Sequence, residues 1–154
     1  EAMVGELALA RAPGASLADG NNDLGFEFED DLPHVLASPD IVAGILTNLV
    51  ENARKYAPVD PEDPDAEPIL VRARRDGNHV VLEVADTGEG IPADALPHVF
   101  ERYYRGDGPR TRGTGTGLGL AIARAVAEAH GGTLAVQSEV GEGTTFRLSL
   151  SAER

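Results

Sequence analysis

The sequence predicts an α/β two-layer sandwich, in which one mixed sheet of about five strands is covered on one face by about three helices. Apolar residues recur at helical spacing in residues 38–57 and 117–130, and a strand-like run flanks each of these segments on either side. Short turns that contain glycine, at residues 76–78 and 141–143, join neighbouring strand-like runs into hairpins.

Each element has its own local signal. Residues 24–30 alternate apolar and acidic side chains, which is typical of a half-buried strand. Ser38 is expected to cap the next helix, with Pro39 at its first position. An acidic, proline-rich loop is predicted at residues 58–68. The other predicted elements are hairpin strands at 69–75 and 79–85, a short helix at 93–100, a helix from 117 or 118 to 130, and hairpin strands at 133–138 and 144–150.

The chain is expected to hold one complete domain, over residues 24–154. Residues 1–12 place apolar side chains at helical spacing and are followed by Pro13, so residues 1–13 are predicted to be the end of a helix from an upstream domain. Residues 14–23 have the composition of a linker.

The composition excludes several functions. Acidic residues number 26 and basic residues 13, for a net charge of -13, which argues against nucleic acid as a partner. The chain contains no cysteine, so it has neither disulfides nor cysteine-ligated zinc. No apolar run approaches the roughly 20 residues that span a bilayer, so no direct membrane contact is expected. The four histidines are interpreted as structural.

A glycine-dense loop over residues 112–119 leads directly into a helix. Exposed backbone N–H groups and the positive end of a helix together bind polyphosphates. A flexible hinge is a second interpretation of the same loop. The Gly-Lys-Ser/Thr ending of a P-loop is absent.

Three polar residues are candidates for ligand binding. Asn48 and Asn52 lie four apart on one helix and share a face, and their amide oxygens suit Mg²⁺ that is also held by phosphates. A surface or capping role is the alternative. Asp86 follows an apolar strand, where its carboxylate is either an acceptor for the amino group of a base or an ordinary turn residue.

Five blocks, taken in order, resemble the N, G1, F, G2 and G3 boxes of sensor histidine kinases. They are residues 48–56, 86–92, 100–105, 112–122 and 141–146. The resemblance covers about residues 38–150. It implies the Bergerat ATP-binding fold and a catalytic domain that binds ATP with Mg²⁺. That domain would donate the γ-phosphate to a histidine on a dimerisation domain upstream of this chain.

The resemblance also implies residue roles. Asn48 and Asn52 would hold magnesium, Lys55 would lie near the phosphates and Tyr56 near the ribose. Judged by its position alone, Lys55 is equally well explained as a cation in the last helical turn, where it favours the helix dipole. Asp86 would read adenine, with Thr144 as its companion through a water. Arg105 would stabilise charge on the γ-phosphate, so the catalytic set is Asn48, Lys55 and Arg105. The remaining nucleotide-binding residues would be Gly88, Gly90, Ile91, Gly115, Thr116, Gly117, Leu118 and Gly119.

The residue at position 48 distinguishes a histidine kinase domain from the main alternative, an ATPase of the gyrase type. Related ATPases of the gyrase type carry a glutamate at that position to activate water, whereas an amide cannot accept a proton at neutral pH. An anti-sigma serine kinase would have a weaker F box than residues 100–105, and a non-catalytic nucleotide-sensing module would have eroded boxes.

The implied partners are the dimerisation domain and a cognate response regulator. The isolated chain is expected to be monomeric, at the cytoplasmic end of a membrane-anchored sensor.

Overall fold

The predicted α/β class is confirmed. The computed structural model describes residues 2–3, 24–35, 37–57, 59–60, 62–101 and 119–152. They form a five-stranded mixed sheet, a two-stranded ribbon and two α-helices. The strands are β1 (Ala2–Met3), β2 (Leu24–Phe28), β3 (His34–Val35), β4 (Ile69–Asp76), β5 (His79–Asp86), β6 (Thr133–Glu139) and β7 (Gly143–Ser151), and the helices are α1 (Pro39–Tyr56) and α2 (Gly119–Ala129).

Helix α1 begins and ends as its sequence predicts. Ser38 is the cap, and its side chain accepts a hydrogen bond of 3.2 Å from the backbone N–H of Ile41. The apolar residues at helical spacing form a buried stripe on α1 that contains Ile45, Leu46, Leu49 and Ala53, while Ile41 is only partly buried. Neither helix in the described residues has the combination of length and hydropathy required to cross a bilayer.

The sheet has the strand order β2-β4-β5-β7-β6, and only the β2–β4 pair is parallel. Both predicted hairpins, β4–β5 and β6–β7, are present. Helix α1 packs on β4 and β5, and α2 packs on β6 and on α1. The core therefore lies between the helices and one face of the sheet, where Val71, Leu82, Phe146 and Leu148 are buried.

Three predicted elements differ from the structure. The helix predicted at residues 93–100 is only a 3₁₀ turn at Leu96–His98, because the segment is short and Pro97 has no N–H for a helical hydrogen bond. The helix predicted over residues 1–12 is wrong for Ala2 and Met3, which form backbone pairs with Val35 and His34 instead. Residues 4–12 lie outside the described part of the chain, so the upstream-domain assignment stays a prediction.

The third difference concerns β2, which is less buried than its alternating pattern predicts. Phe26 and Phe28 lie in register with the buried Val71 and Ala73, so they do point to the helix-covered face. They are nevertheless 44% and 38% exposed, and their rings lie 5.9 Å apart. The reason is position: β2 is an edge strand, and α1 packs over β4 and β5.

The opposite face of the sheet carries a row of alternating charges, which we call the charge row: Glu27, Arg72, Glu83 and Arg147. The four are successive cross-strand neighbours on β2, β4, β5 and β7. Arg147 Nε lies 2.6 Å from Glu83 Oε2, Arg72 Nη1 lies 3.8 Å from Glu83 Oε1, and Arg72 Nε lies 3.5 Å from Glu27 Oε1. The side chain of Glu83 is only 8% exposed, so the two arginines supply the charge that its burial requires.

Replacing Glu83 by alanine should lower the free energy of unfolding by about 2 kcal/mol, because it leaves two partly buried guanidinium groups without their shared acceptor. Urea unfolding followed by circular dichroism measures this change. Glu27→Ala is the matched control, since Glu27 is 64% exposed and its ion pair should contribute about 0.5 kcal/mol. Equal losses in the two variants would contradict the central role of Glu83.

Candidate functional site

One group of predicted site residues lies where β5 ends and β7 begins. Asp86 is the last residue of β5 and the cross-strand partner of Thr144. Its Oδ1 accepts a hydrogen bond of 2.9 Å from the backbone N–H of Gly88, and its carboxylate also accepts from the backbone N–H of Thr144. Two backbone donors therefore fix the orientation of this carboxylate.

The electrostatic setting of Asp86 is unusual for an aspartate. Burial raises the pKa of its carboxyl above the ordinary 3.8, although the hydrogen bonds from the Gly88 and Thr144 backbone oppose that shift. A partly desolvated carboxylate with fixed orientation is a strong hydrogen-bond acceptor for a ligand amino group.

Glycines at this junction allow backbones to approach closely. Gly143 has φ of 122°, and a Cβ atom there would collide with the carbonyl oxygen of Asp86. Gly90 has φ of 81°, and a Cβ there would collide with the carbonyl oxygen of Glu139. A Cβ on Gly88 would lie 2.5 Å from Cβ of Ala57, just after α1. Close contact therefore disfavours a side chain at all three positions, and at Gly90 and Gly143 the positive φ also favours glycine.

Ser138 joins these segments, and the sequence analysis missed it. Its Oγ lies 2.7 Å from the backbone nitrogen of Ile91, 2.8 Å from the carbonyl oxygen of Gly143 and 2.8 Å from Oγ1 of Thr144. A sequence signal did exist: Ser138 continues the buried-face positions of β6 that Leu134 and Val136 occupy, and it is the polar residue among them.

The other end of the site lies between the two helices. Asn48 and Asn52 are on consecutive turns of α1, and both are half-buried. A Cβ atom placed on Gly119, the first residue of α2, would lie 3.6 Å from Oδ1 of Asn48. The amide oxygen of Asn48 thus lies near the positive end of α2, which attracts a phosphate, and an amide oxygen is a suitable ligand for a metal ion bound to that phosphate.

Lys55 and Tyr56 are the last residues of α1, and Lys55 Nζ lies 5.6 Å from the centre of the Tyr56 ring. Both residues directly precede Ala57, the residue that lies against Gly88. The predicted Arg105, Gly115, Thr116, Gly117 and Leu118 lie outside the described residues. In the part of the chain that is described, no three His, Cys, Asp or Glu side chains cluster as metal ligands.

A cavity of about 200 Å³ borders Asp86 and Gly88. The loop after α1 contributes Asp60, Asp63 and Glu67 to its lining. Carboxylates in this lining repel phosphate groups. A nucleotide that placed its base at Asp86 would therefore have its phosphates directed away from this loop.

Comparison with known proteins identifies the family of the chain. Residues 37–154 match the model of a protein family described as "Histidine kinase-, DNA gyrase B-, and HSP90-like ATPase". The sensor protein SrrB of Staphylococcus aureus is 42% identical over 107 residues, which are 69% of this chain and 17% of SrrB. The chain therefore spans only a small part of the length of the curated relatives that it matches.

Two solved structures extend the likeness to the fold. Full-length ShkA in complex with AMPPNP superposes with a TM-score of 0.70 at 28% identity, covering 96% of this chain and 29% of ShkA. The mycobacterial sensor histidine kinase MprB gives a TM-score of 0.71 at 26% identity, covering 95% of this chain and 93% of the MprB chain.

This chain belongs to the family of histidine kinase-, DNA gyrase B- and HSP90-like ATPases. The predicted resemblance to sensor histidine kinases is confirmed, and the chain is an ATP-binding domain of that type.

The raised pKa of Asp86 predicts how this residue affects stability. An acid whose pKa is higher in the folded state binds more protons there, so the free energy of unfolding falls as pH rises from the ordinary 3.8 to the raised value, and the loss persists at higher pH. Asp86→Asn removes this loss. It should raise the melting temperature at pH 7, and the gain should disappear at pH values below 3.8.

Differential scanning calorimetry at several pH values measures this effect. Asp76→Asn, at the opposite end of the same hairpin, is the control. A lower melting temperature for Asp86→Asn at pH 7 would mean that the carboxylate stabilises the fold instead of serving a ligand.

Proposed function

We propose that this chain binds Mg-ATP and donates the γ-phosphate to a histidine on a dimerisation domain that is not part of the chain. The observation that carries the proposal is the carboxylate of Asp86, which is held by the Gly88 N–H and lines a cavity, together with the approach of Asn48 Oδ1 to Gly119 at the start of α2. A base acceptor at one end and a phosphate and metal site at the other match the two ends of a nucleotide.

The base end consists of Asp86, Gly88, Gly90, Ile91 and Thr144. In this proposal the carboxylate of Asp86 accepts a hydrogen bond from the adenine amino group. The loop at Gly88 and Gly90 packs tightly on its neighbours, which holds the rim of the base pocket in place. Thr144 completes the pocket from β7, directly or through a water.

The phosphate end consists of Asn48, Asn52 and Gly119, and the proposal adds Gly115, Thr116, Gly117 and Leu118, which lie outside the described residues, from the sequence motif alone. Amide oxygens are hard, neutral ligands, so Asn48 and Asn52 suit an Mg²⁺ ion whose other ligands are phosphate oxygens and water. Such an ion neutralises charge on the phosphates. Lys55 would approach the phosphates, and Tyr56 the ribose.

The amide at position 48 favours transfer over hydrolysis. Activation of water needs a group that accepts a proton, and an asparagine does not. Glu51, the carboxylate nearest to Asn48 along α1, is exposed to solvent. This supports a kinase domain over an ATPase of the gyrase type.

Transfer would break the bond between Pγ and the bridging oxygen, which leaves with ADP, and form a bond between Pγ and a histidine nitrogen of the partner domain. Arg105 would stabilise the charge on the transferred group. The acceptor histidine, the base that takes its proton, and a cognate response regulator all belong outside this chain. We place the domain at the cytoplasmic end of a sensor kinase, as a monomer when isolated.

Calorimetric titration with a non-hydrolysable ATP analogue tests the nucleotide site. The chain should bind the analogue in the presence of Mg²⁺, and Asp86→Asn should bind roughly tenfold or more weakly, because one acceptor for the base amino group becomes an amide. Asp76→Asn should bind like the unmodified chain. Unchanged affinity in Asp86→Asn would remove Asp86 from base recognition, and no binding by the unmodified chain would refute the proposed function.

The same titration tests the metal ligands. Asn52→Ala should bind the analogue with an affinity that no longer responds to Mg²⁺, since it removes one of the two amide ligands. Asn78→Ala, in the β4–β5 turn, is the matched control and should keep the full Mg²⁺ response. Retained Mg²⁺ dependence in Asn52→Ala would exclude Asn52 as a ligand.

A further inference from the structure

Ser138 makes three polar contacts, and together they determine which atom holds which proton. The backbone N–H of Ile91 can only donate, and the carbonyl oxygen of Gly143 can only accept. A serine hydroxyl has one proton and two lone pairs. Ser138 Oγ therefore donates its proton to the carbonyl oxygen of Gly143 and accepts a hydrogen bond from the backbone N–H of Ile91.

The third contact, between Ser138 Oγ and Thr144 Oγ1, now has a single possible direction. The proton of Ser138 is already used, so Thr144 must donate its own proton to the remaining lone pair of Ser138. Thr144 Oγ1 consequently has only lone pairs left for a ligand or a bridging water. Its hydroxyl behaves as an acceptor, although a free threonine hydroxyl can also donate.

Asp86 is the cross-strand partner of Thr144, and its ionised carboxylate is also an acceptor only. Its contacts with the backbone N–H groups of Gly88 and Thr144 hold it in place and supply no proton to the ligand side. The base end of the site thus presents two acceptors side by side. A ligand with an amino group there satisfies them, whereas a ligand with a carbonyl oxygen meets repulsion from both.

We infer that Ser138 is a positioning residue for base selection: by holding the Thr144 proton, it keeps the pocket selective for a 6-amino purine over a 6-oxo purine. This inference rests on the proposed nucleotide-binding function. Ser138 acts through Thr144 and the Ile91 loop, and it needs no contact with the nucleotide.

The test compares ATP with ITP, which carries a carbonyl oxygen in place of the amino group and, with it, a proton on N1. Dissociation constants for both nucleotides are measured by displacement of a fluorescent ATP analogue. The unmodified chain should prefer ATP. Ser138→Ala releases the Thr144 proton, so that Thr144 can donate to the carbonyl oxygen, and the ratio of the ITP to the ATP dissociation constant should fall about tenfold.

Two controls separate this role from a structural one. Gln137→Ala, on the same strand but the opposite face, should keep the ratio of the unmodified chain. In a Thr144→Val background, where there is no hydroxyl proton to release, adding Ser138→Ala should not change the ratio further. A Ser138→Ala variant that loses affinity for both nucleotides equally would show that Ser138 only supports the fold, and would overturn the inference.

The unmodified chain provides a test that does not depend on how the variants fold. Equal affinity for ATP and ITP would overturn the inference while leaving the proposed function intact. Failure to bind either nucleotide would instead refute the proposed function.

Discussion

The site depends on the close packing of Gly143 against the backbone of Asp86. A side chain at position 143 would displace the carbonyl oxygen of Asp86, and with it the carboxylate that the same residue presents. Gly143 is the first residue of β7 and Asp86 is the last residue of β5. This contact therefore fixes the point at which the end of β5 meets the start of β7. The loop at Gly88, the hydroxyl network at Ser138 and the position of Thr144 all follow from it.

The two faces of the sheet solve different problems. The helix-covered face buries apolar side chains, and at its end it changes to Asp86, Thr144 and Ser138, where the helix layer gives way to the site. The opposite face has no helix from the described residues packed on it, and there the charge row covers the middle of the sheet. A polar site can therefore sit at the edge of an apolar core without weakening its centre.

Sequence patterns predicted the elements that depend on local chemistry. The Ser38 cap, the two hairpin turns and the stripe of α1 are each determined by a few adjacent residues, and all are confirmed. Sequence patterns did not predict the features that long-range packing determines. The exposure of Phe26 and Phe28 follows from the place of β2 at the sheet edge, and the strand at Ala2–Met3 follows from pairing with residues 34–35. The same distinction applies to the candidate site. Asp86 and Asn48 lie in short sequence motifs and could be predicted, whereas the role of Ser138 depends on partners up to 47 positions away in the sequence.

The charge row also bears on how the strands choose their alignment. A slip of two residues keeps every side chain on its own face, so hydrophobic alternation alone does not penalise it. On β7, however, the neighbours of Arg147 on that face are Thr145 and Ser149, so a two-residue slip against β5 would leave Glu83 buried opposite a hydroxyl. The slip would take from this buried carboxylate its hydrogen-bonded partner at 2.6 Å and leave only Arg72, at 3.8 Å, which makes that misalignment unfavourable. The Glu83–Arg147 pair therefore favours one register of β5 against β7. That register is the one that places Asp86 beside Thr144.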